Sequence, residues 1–202
     1  MKKTIEPTPA QIEFAEVFPE VVLASGSPNR KALLEKGGCI VHRYVPATEE
    51  VRDESRPEET VREIAEGKMK AYRESPEFRA DLPGITADTL VLFEGKLLGK
   101  PRDNEEAKEF LHFLSGGFQT VLSGCVLYRP ESKDTVSFTS SSRVLFKELS
   151  DEEIDSYVAT GECIGAAGAY RLQKTGWKLV EEIEGSWSNV VGLPLEDLIS
   201  HR

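Results

Sequence analysis

The stretch of residues 84–117 constrains the fold of this chain most, because it places an acid inside a run of apolar residues. Residues 85–93 have the composition of a buried strand, and Asp88 lies within them. A carboxylate inside a strand costs free energy unless it is paired, bound to a ligand or used in chemistry. The sequence therefore predicts a strand whose acid belongs to an ion pair or to a functional site.

A second charge lies close to Asp88 if the chain turns back on itself. A two-residue hairpin turn at Glu94 and Gly95 would bring Lys100 alongside the first strand. Strict alternation of side chains would leave the two charges on opposite faces, so a bulge at Gly99 is expected to turn Lys100 toward Asp88. A purely structural ion pair is the alternative explanation, since ion-pair networks resemble functional sites.

The composition excludes several classes of protein. The chain has 202 residues, of which 39% are hydrophobic and 30% charged, which is typical of a soluble globular protein. A net charge of −10 argues against a partner that is a nucleic acid polymer or a membrane surface, because both require a basic footprint. A local cluster of Lys and Arg would still allow a small anionic substrate.

The cysteines and the N-terminus bear on the compartment. Three widely spaced cysteines without a CxxC motif argue against a disulfide framework and favour a reducing, cytoplasmic setting. The first residues lack the apolar segment of a signal peptide, and no run approaches the roughly 18 apolar residues of a membrane span. Residues 1–19 are interpreted as an extension without chemistry, and residues 20–202 as a single domain.

A small-residue loop follows the first predicted strand and precedes a helix. Ser27 is suited to the N-cap of that helix, and the loop from Ser25 to Ser27 has the geometry of an anion site. Arg30 and Lys31 lie in the first turn, where the helix dipole disfavours cations, and this indicates a bound anion. An ordinary strand–loop–helix junction remains the alternative.

Local patterns predict the remaining elements. Strands are expected at residues 21–24, 39–45, 120–128, 135–146 and 178–184, and helices at 10–17, 29–36, from 57 onward, from 103 onward, 154–159 and 196–200, with a loop at 185–189. The acids at 49–54 are most simply a solvated face, although at least one of them is a candidate metal ligand. Lys68 falls in a predicted helix and could equally be solvated.

Four segments taken together resemble the Maf family of nucleoside triphosphate pyrophosphatases. They are LASGSPNRKALL (23–34), ITADTLVLFEGKLLGKPRDNEEA (85–107), LSGGFQTVLSG (114–124) and the pair GAYRLQ and IEGSWSNVVGLPL within 168–195. The motifs that carry the resemblance are S-x-S-P-x-R, A-D-T, L-G-K-P, L-S-G and V-x-G-L-P-L, and they extend over roughly residues 20–200.

The resemblance implies a fold, a reaction and a cofactor. The fold is α/β and is shared with the inosine-triphosphate-pyrophosphatase-like enzymes: an elongated, curved, mixed sheet flanked by helices, with two lobes and a central cleft. The reaction is hydrolysis of a nucleoside triphosphate between its α and β phosphates, giving the monophosphate and pyrophosphate. A divalent cation (Mg, Mn or Co) is the implied cofactor, and a homodimer is left open.

The resemblance also assigns roles to individual residues. The implied catalytic residues are Asp88 as proton acceptor, Lys100, Lys68 and Glu49, with Glu49 and Asp88 as the metal ligands. Ser25, Ser27 and Arg30 match the substrate-binding motif. Thr89 and Gln173 match positions that select the base in the branch acting on dTTP and UTP, and Asn29 occupies a third specificity position.

Two departures leave alternatives open. Asn29 stands where the dTTP/UTP branch has arginine and the 7-methyl-GTP branch tryptophan, and Ala166 stands where the family usually has lysine. Thr89 and Gln173 favour the pyrimidine branch. The alternatives are a pyrophosphatase for 7-methyl-GTP and a catalytically weak nucleotide-binding regulator of cell division.

Overall fold

The structure, a computed structural model, describes residues 7–202. Its helices are α1 (Pro9–Val17), α2 (Pro28–Lys36), α3 (Pro57–Arg73), α4 (Asn104–Leu114), α5 (Asp151–Val158), α6 (Trp187–Val191) and α7 (Leu195–Ser200). Its strands are β1 (Glu20–Ala24), β2 (Ile40–Tyr44), β3 (Gly84–Phe93), β4 (Lys96–Leu98), β5 (Phe118–Arg129), β6 (Asp134–Phe146) and β7 (Val180–Glu184).

The strands of this described part form one mixed sheet. Its order is β2-β1-β3-β5-β6-β7, and β4 pairs with β3 beside this path. The pairings of β1 with β2 and with β3 are parallel, and all the others are antiparallel. The parallel part follows the strand–helix–strand segments of the N-terminal region, and the antiparallel part follows the hairpins. The predicted α/β fold with a mixed sheet is confirmed.

Strands β3 and β5 each contribute residues to two apolar clusters. The first half of β3 contributes Ile85, and the second half of β5 contributes Cys125, to an apolar cluster with α1, α2 and α7. Further along, Val91 and Val121 belong to a second cluster with α4 and α5. Helix α3 lies on the opposite face of the sheet. The two clusters are the cores of the two predicted lobes.

One edge of β3 is paired at both ends and open between them. Strand β1 pairs with β3 at Gly84 and Ile85, and the hairpin strand β4 pairs with it only from Val91 onward. Among the described residues, no strand therefore pairs with residues 86–90 on that side, although β5 pairs with them on the other. Side chains from both faces of the sheet can reach such an opening, because successive residues alternate in direction.

Several local signals are confirmed. Phe93 pairs with Lys96 across the predicted turn, and both turn residues have positive φ (47° and 78°), as a type I′ turn requires. The side chains of Ser27, Asp103 and Ser150 each accept a backbone hydrogen bond at the start of their helices. The hairpin and the caps are local features, which explains why sequence patterns predicted them.

Two segments differ from the predictions. Part of the predicted loop at 185–189 belongs to α6, which Ser186 caps by accepting from the backbone of Asn189. The predicted strand at 178–184 begins only at Val180, because residues 175–179 form a 3₁₀ helix. Both elements have five residues, which is too short for a periodic pattern to reveal.

Helix α1 falls within the predicted extension and yet packs into the core. Phe14 is completely buried, and Gln11 donates from Nε2 to the carbonyl oxygen of Leu33 at 2.7 Å. The remainder of the extension, residues 1–6, lies outside the described residues. No helix among residues 7–202 combines the length and the apolar character needed to cross a membrane.

Candidate active site

A cleft of about 260 Å³ opens at the unpaired edge of β3. Its lining includes three basic side chains, Arg30, Lys68 and Lys100, and two acidic ones, Glu50 and Asp88. The chain as a whole carries a net charge of −10, whereas these five groups carry three positive and two negative charges. The cleft is therefore locally cationic in an acidic protein, which suits an anionic ligand.

Lys68 bridges two carboxylates in this cleft. Its Nζ lies 2.7 Å from Oδ1 of Asp88 and 2.8 Å from Oε1 of Glu50. The side chains of Lys68 and Asp88 are only 12% and 11% exposed, and that of Glu50 is 34% exposed. Such shielded pairs are screened by solvent far less than surface pairs, so the lysine fixes the position of both carboxylates.

The second oxygen of Asp88 has no partner. Oδ2 is buried and accepts no hydrogen bond within residues 7–202. A buried carboxylate oxygen without a partner carries a large desolvation cost, and a functional role is one explanation for retaining it. This oxygen is available to a water molecule, a cation or a substrate proton.

Helix α3 places Lys68 over Asp88 because it lies very close to the sheet. A glycine and a hydrogen bond on the facing strands allow this approach. Asp88 pairs with Gly124 of β5, and a Cβ atom at that glycine would overlap the carbonyl oxygen of Val61 on α3. Thr86, on the same face as Asp88, donates to the carbonyl oxygen of Ala65 at 2.7 Å. The absence of a side chain at Gly124 is thus a condition for the Lys68–Asp88 contact.

Arg30 joins three segments behind the cleft. Its Nε donates to the carbonyl oxygen of Gly192 at 2.7 Å, Nη1 donates to Ser25 Oγ at 3.0 Å, and Nη2 donates to Thr89 Oγ1 at 2.9 Å. Burial lowers the pKa of Arg30, and the charge of Asp88 partly opposes this effect. Arg30 therefore holds the walls of the cleft together, in addition to the phosphate contact that the motif predicts.

The predicted anion loop has the expected geometry. The backbone N–H of Ser27 donates to Ser25 Oγ at 3.2 Å, and Ser27 Oγ caps α2 by accepting from the N–H of Arg30 at 3.4 Å. Both serines and Gly26 line the cleft. The N-terminus of α2, with its positive dipole end, consequently points at the same cavity as Lys68 and Lys100.

The ion pair that sequence reasoning expected between Asp88 and Lys100 is replaced by another. Asp88 pairs with Lys68, and the described residues contain no ion pair between Asp88 and Lys100. Strand β4 ends at Leu98, so the ladder does not extend to Lys100 and no bulge at Gly99 is needed. Lys100 lines the same cleft from the following loop.

The acids after β2 are divided between solvent and cleft. Glu49, which the resemblance singles out, is exposed and does not line the cleft. Glu50 does line the cleft. Burial raises the pKa of Glu50, but the hydrogen bond from Lys68 and the charges of Lys68, Arg52 and Lys100 outweigh it, so the pKa lies below its usual value. The expectation that at least one acid of this run is functional therefore falls most naturally on Glu50.

The three predicted specificity positions line the cleft. Asn29, Thr89 and Gln173 all face it, together with Gly165, Ala166, Ala167 and Tyr170. Nε2 of Gln173 and the hydroxyl of Tyr170 are buried and have no hydrogen-bond partner within the described part of the chain. Sequence reasoning did not single out Arg171, which donates to Asn29, because an arginine in a loop carries no recognisable pattern.

The carboxylates can be tested as a site for a divalent cation. Carboxylate oxygens are the donors that Mg²⁺ and Mn²⁺ prefer, and the unpartnered Oδ2 of Asp88 is such a donor. Glu50 supplies a second carboxylate in the cleft. Within residues 7–202, no group of three or more His, Cys, Asp or Glu side chains forms a complete site. The residues fit a cation that takes its remaining ligands from phosphate and water.

The fold and the cleft define an α/β protein with a cationic, carboxylate-containing site for a small anion. The family described as Maf-like protein matches residues 20–201, and the chain belongs to this family. It is 44% identical over 181 residues to a protein named dTTP/UTP pyrophosphatase from Citrifermentans bemidjiense, covering 89% of this chain and 92% of the relative.

Two further relatives have the same name. One from Geobacter sp. is 44% identical and one from Bacillus thuringiensis is 39% identical, each over 181 residues, or 89% of this chain and 92% of the relative. The matched region contains every residue described above as lining the cleft. The resemblance seen in the sequence motifs is thereby confirmed at the level of the family.

Proposed function

We propose that this protein hydrolyses a nucleoside triphosphate between the α and β phosphates, releasing the monophosphate and pyrophosphate. The relatives named dTTP/UTP pyrophosphatase support this activity. The observation that carries it is the geometry of Asp88: Lys68 holds Oδ1 at 2.7 Å, while Oδ2 has no partner in the part of the chain that the structure describes. One oxygen is thus used for orientation, and the other is left for chemistry.

Asp88 is suited to act as general base. Its free Oδ2 accepts a proton from water, and the water oxygen attacks the α phosphorus. The bond between that phosphorus and the bridging oxygen breaks, and pyrophosphate leaves with the electron pair. Lys68 keeps the carboxylate in place throughout, because the 2.7 Å contact and the low exposure of both side chains restrict its rotation.

The cationic groups stabilise the charge that develops on the phosphates. Lys100 lines the cleft and is exposed, so its ammonium group is free to follow a phosphate chain. Ser25, Ser27 and the N-terminus of α2 offer hydroxyl and backbone donors. Arg30 contributes positive potential from behind this loop. Hydrogen bonds hold Arg30 and the Ser25–Ser27 loop in place before the substrate arrives, which is the condition for effective electrostatic stabilisation.

A divalent cation belongs to this proposal, with Asp88 and Glu50 as the residues that would hold it. When bound, it would neutralise charge on the phosphate oxygens. Glu49 is the ligand implied by the family resemblance and stays a prediction, and comparison of Glu49→Gln with Glu50→Gln distinguishes the two. We expect the metal concentration needed for half-maximal activity to rise for the residue that binds the cation.

The proposed substrates are dTTP, UTP or related pyrimidine nucleotides. Thr89 and Gln173 line the cleft, and in this proposal the base lies beside them while the phosphates lie beside Lys68 and Lys100. The unpartnered Nε2 of Gln173 is a donor, and the carbonyl oxygens of uracil and thymine are acceptors. The names of the relatives favour the same bases over 7-methylguanine.

The decisive experiment measures products from a panel of nucleotides with Mg²⁺ or Mn²⁺ in ¹⁸O-labelled water. We expect pyrophosphate and a monophosphate carrying the label, with dTTP and UTP as the best substrates. Formation of a diphosphate and inorganic phosphate would contradict the proposed bond cleavage. Binding without release from any nucleotide would instead support the catalytically weak regulator.

A further inference from the structure

Arg171 does not line the cleft itself, but it donates a hydrogen bond to Asn29, which does. Its Nη1 donates to Oδ1 of Asn29 at 3.0 Å, across 142 positions of sequence. The other two nitrogens donate to backbone carbonyl oxygens, Nε to Glu162 at 2.7 Å and Nη2 to Ile164 at 2.6 Å. All three guanidinium nitrogens thus have partners. Arg171 connects the loop around Ile164 to the first turn of α2.

This contact fixes the orientation of the Asn29 amide. A guanidinium group can only donate hydrogen bonds, so the atom of Asn29 that faces Arg171 must be the carbonyl oxygen. The NH₂ group then points away from Arg171. Within the described residues, Nδ2 of Asn29 makes no hydrogen bond, and the side chain lines the cleft. Asn29 therefore offers the cleft a donor and not an acceptor.

A second donor lies in the same part of the cleft. Nε2 of Gln173 is buried and has no hydrogen-bond partner among residues 7–202, and Gln173 follows Arg171 closely in the chain. Ala166 also lines the cleft, and its side chain carries no charge. Two amide donors suit a base that presents carbonyl oxygens, as uracil and thymine do. Cytosine presents an amino group, which would need an acceptor.

We propose that Arg171 is a positioning residue for base selection: by holding Oδ1 of Asn29, it directs the amide NH₂ of Asn29 to a carbonyl oxygen of the base. This inference rests on the proposed function and adds to it the way in which uracil and thymine are preferred to cytosine. Arg171 itself does not touch the substrate. Its loss frees the amide to rotate and to present an acceptor instead.

The experiment is a double-mutant cycle on binding, which does not depend on turnover. The dissociation constants of the non-hydrolysable α,β-imido analogues of dUTP and dCTP are measured with Mg²⁺ for wild type, Arg171→Gln, Asn29→Ala and the double variant. Arg129→Gln is the matched control, because Arg129 pairs with Asp134 in the β5–β6 hairpin and does not line the cleft. Melting temperatures of all variants are recorded in parallel.

We expect Arg171→Gln to weaken binding of the dUTP analogue about tenfold, the scale of one directed hydrogen bond, and to weaken the dCTP analogue less. In the Asn29→Ala background, the same change should have less than about a twofold effect, because the residue it positions is gone. Arg129→Gln should bind both analogues as wild type does. The ratio of the two dissociation constants distinguishes this result from general damage to the loop. General damage would weaken the binding of both analogues equally.

Two results would overturn the inference. If Arg171→Gln weakens binding by the same factor with and without Asn29, or leaves the ratio of the two analogues unchanged, Arg171 has only a structural role. If the wild type binds the dUTP analogue, the proposed function survives that result. If the wild type neither binds an analogue nor releases pyrophosphate from any nucleotide, the proposed function fails and this inference fails with it.

Discussion

At the scale of single residues, Lys68 determines what Asp88 can do. The lysine occupies one carboxylate oxygen and leaves the other free, and it also holds Glu50 at 2.8 Å. Removal of either partner of such a shielded pair leaves a charge without compensation. The sequence indicated that Asp88 needed a partner, but it pointed to Lys100, because only local hairpin geometry could be predicted.

The first prediction concerns Asp88→Asn. The amide keeps the size of the side chain and a contact for Lys68, but it is not a base. We expect turnover on the best nucleotide to fall by ~10² or more, the usual scale for loss of a general base. Steady-state pyrophosphate release measures this, with the melting temperature as a control for folding. Turnover equal to that of the wild type would exclude Asp88 as the proton acceptor.

The second prediction compares two helix caps. Ser27 and Ser150 accept backbone hydrogen bonds at the starts of α2 and α5, at 3.4 and 3.3 Å. Replacing either serine by alanine should cost about 1 kcal/mol of unfolding free energy, measured by urea denaturation. Only Ser27→Ala should also raise KM, because Ser27 lines the cleft and Ser150 does not. An equal effect of both changes on KM would contradict the anion loop.

At the scale of elements, the distance between α3 and the sheet sets the geometry of the site. The third prediction is that Gly124→Ala displaces α3, because the added Cβ would overlap the carbonyl oxygen of Val61. We expect a loss of about 1–3 kcal/mol in stability, the range for overpacking, together with reduced kcat as Lys68 moves from Asp88. Urea unfolding and steady-state kinetics on the same preparation test both effects.

Gly67→Ala provides the control on the same helix. Beyond its chain neighbours and the backbone of its own helix, a Cβ at Gly67 meets no atom of residues 7–202 within 4 Å, and alanine is the better helix former by about 1 kcal/mol. This variant should therefore be more stable than the wild type and should retain its kcat. If Gly124→Ala behaved as Gly67→Ala does, close packing at Gly124 would not be what positions Lys68.

The elements also show how far the sequence could be interpreted. The β3–β4 turn and the cap at Ser27 depend on neighbouring residues and were predicted correctly. The Lys68–Asp88 pair depends on where α3 lies across the sheet, and a helical pattern does not contain that information. Arg171 was missed for a related reason, because its partner Asn29 is 142 positions away in the chain. The apolar run already pointed to Asp88, whereas only the motif resemblance indicated Lys68 as a candidate site residue.

At the scale of the whole molecule, the packed cores protect the thiols. Cys39, Cys125 and Cys163 are buried and free. Burial raises the pKa of Cys39 and that of Cys125 to about 12 from a usual 9.0. Because the folded-state pKa is the higher one, the neutral thiols contribute stability below pH 9, and this contribution is lost as pH rises toward 12.

The fourth prediction follows from this protection. At pH 8, the native protein should react with a thiol reagent far more slowly than the protein in guanidinium chloride, in which all three thiols react rapidly. Stability should decrease between pH 9 and 12 in the wild type, and less so in a Cys39→Ala/Cys125→Ala variant. Rapid modification of the native protein at pH 8 would show that the cores open on the timescale of the reaction.

The hydrogen bond between Arg30 and Gly192 has a consequence for the order in which the protein can be made. The two residues are separated by 162 positions in the chain. Arg30 is therefore synthesised early, and its hydrogen bond cannot form until Gly192 has been synthesised. Contacts of such long range form slowly, because a large loop must close first. Before Gly192 has left the ribosome, the chain can form much of the sheet, but Arg30 beside the Ser25–Ser27 loop still lacks one of its hydrogen-bond partners. Nucleotide hydrolysis should therefore begin only after nearly the entire domain has emerged.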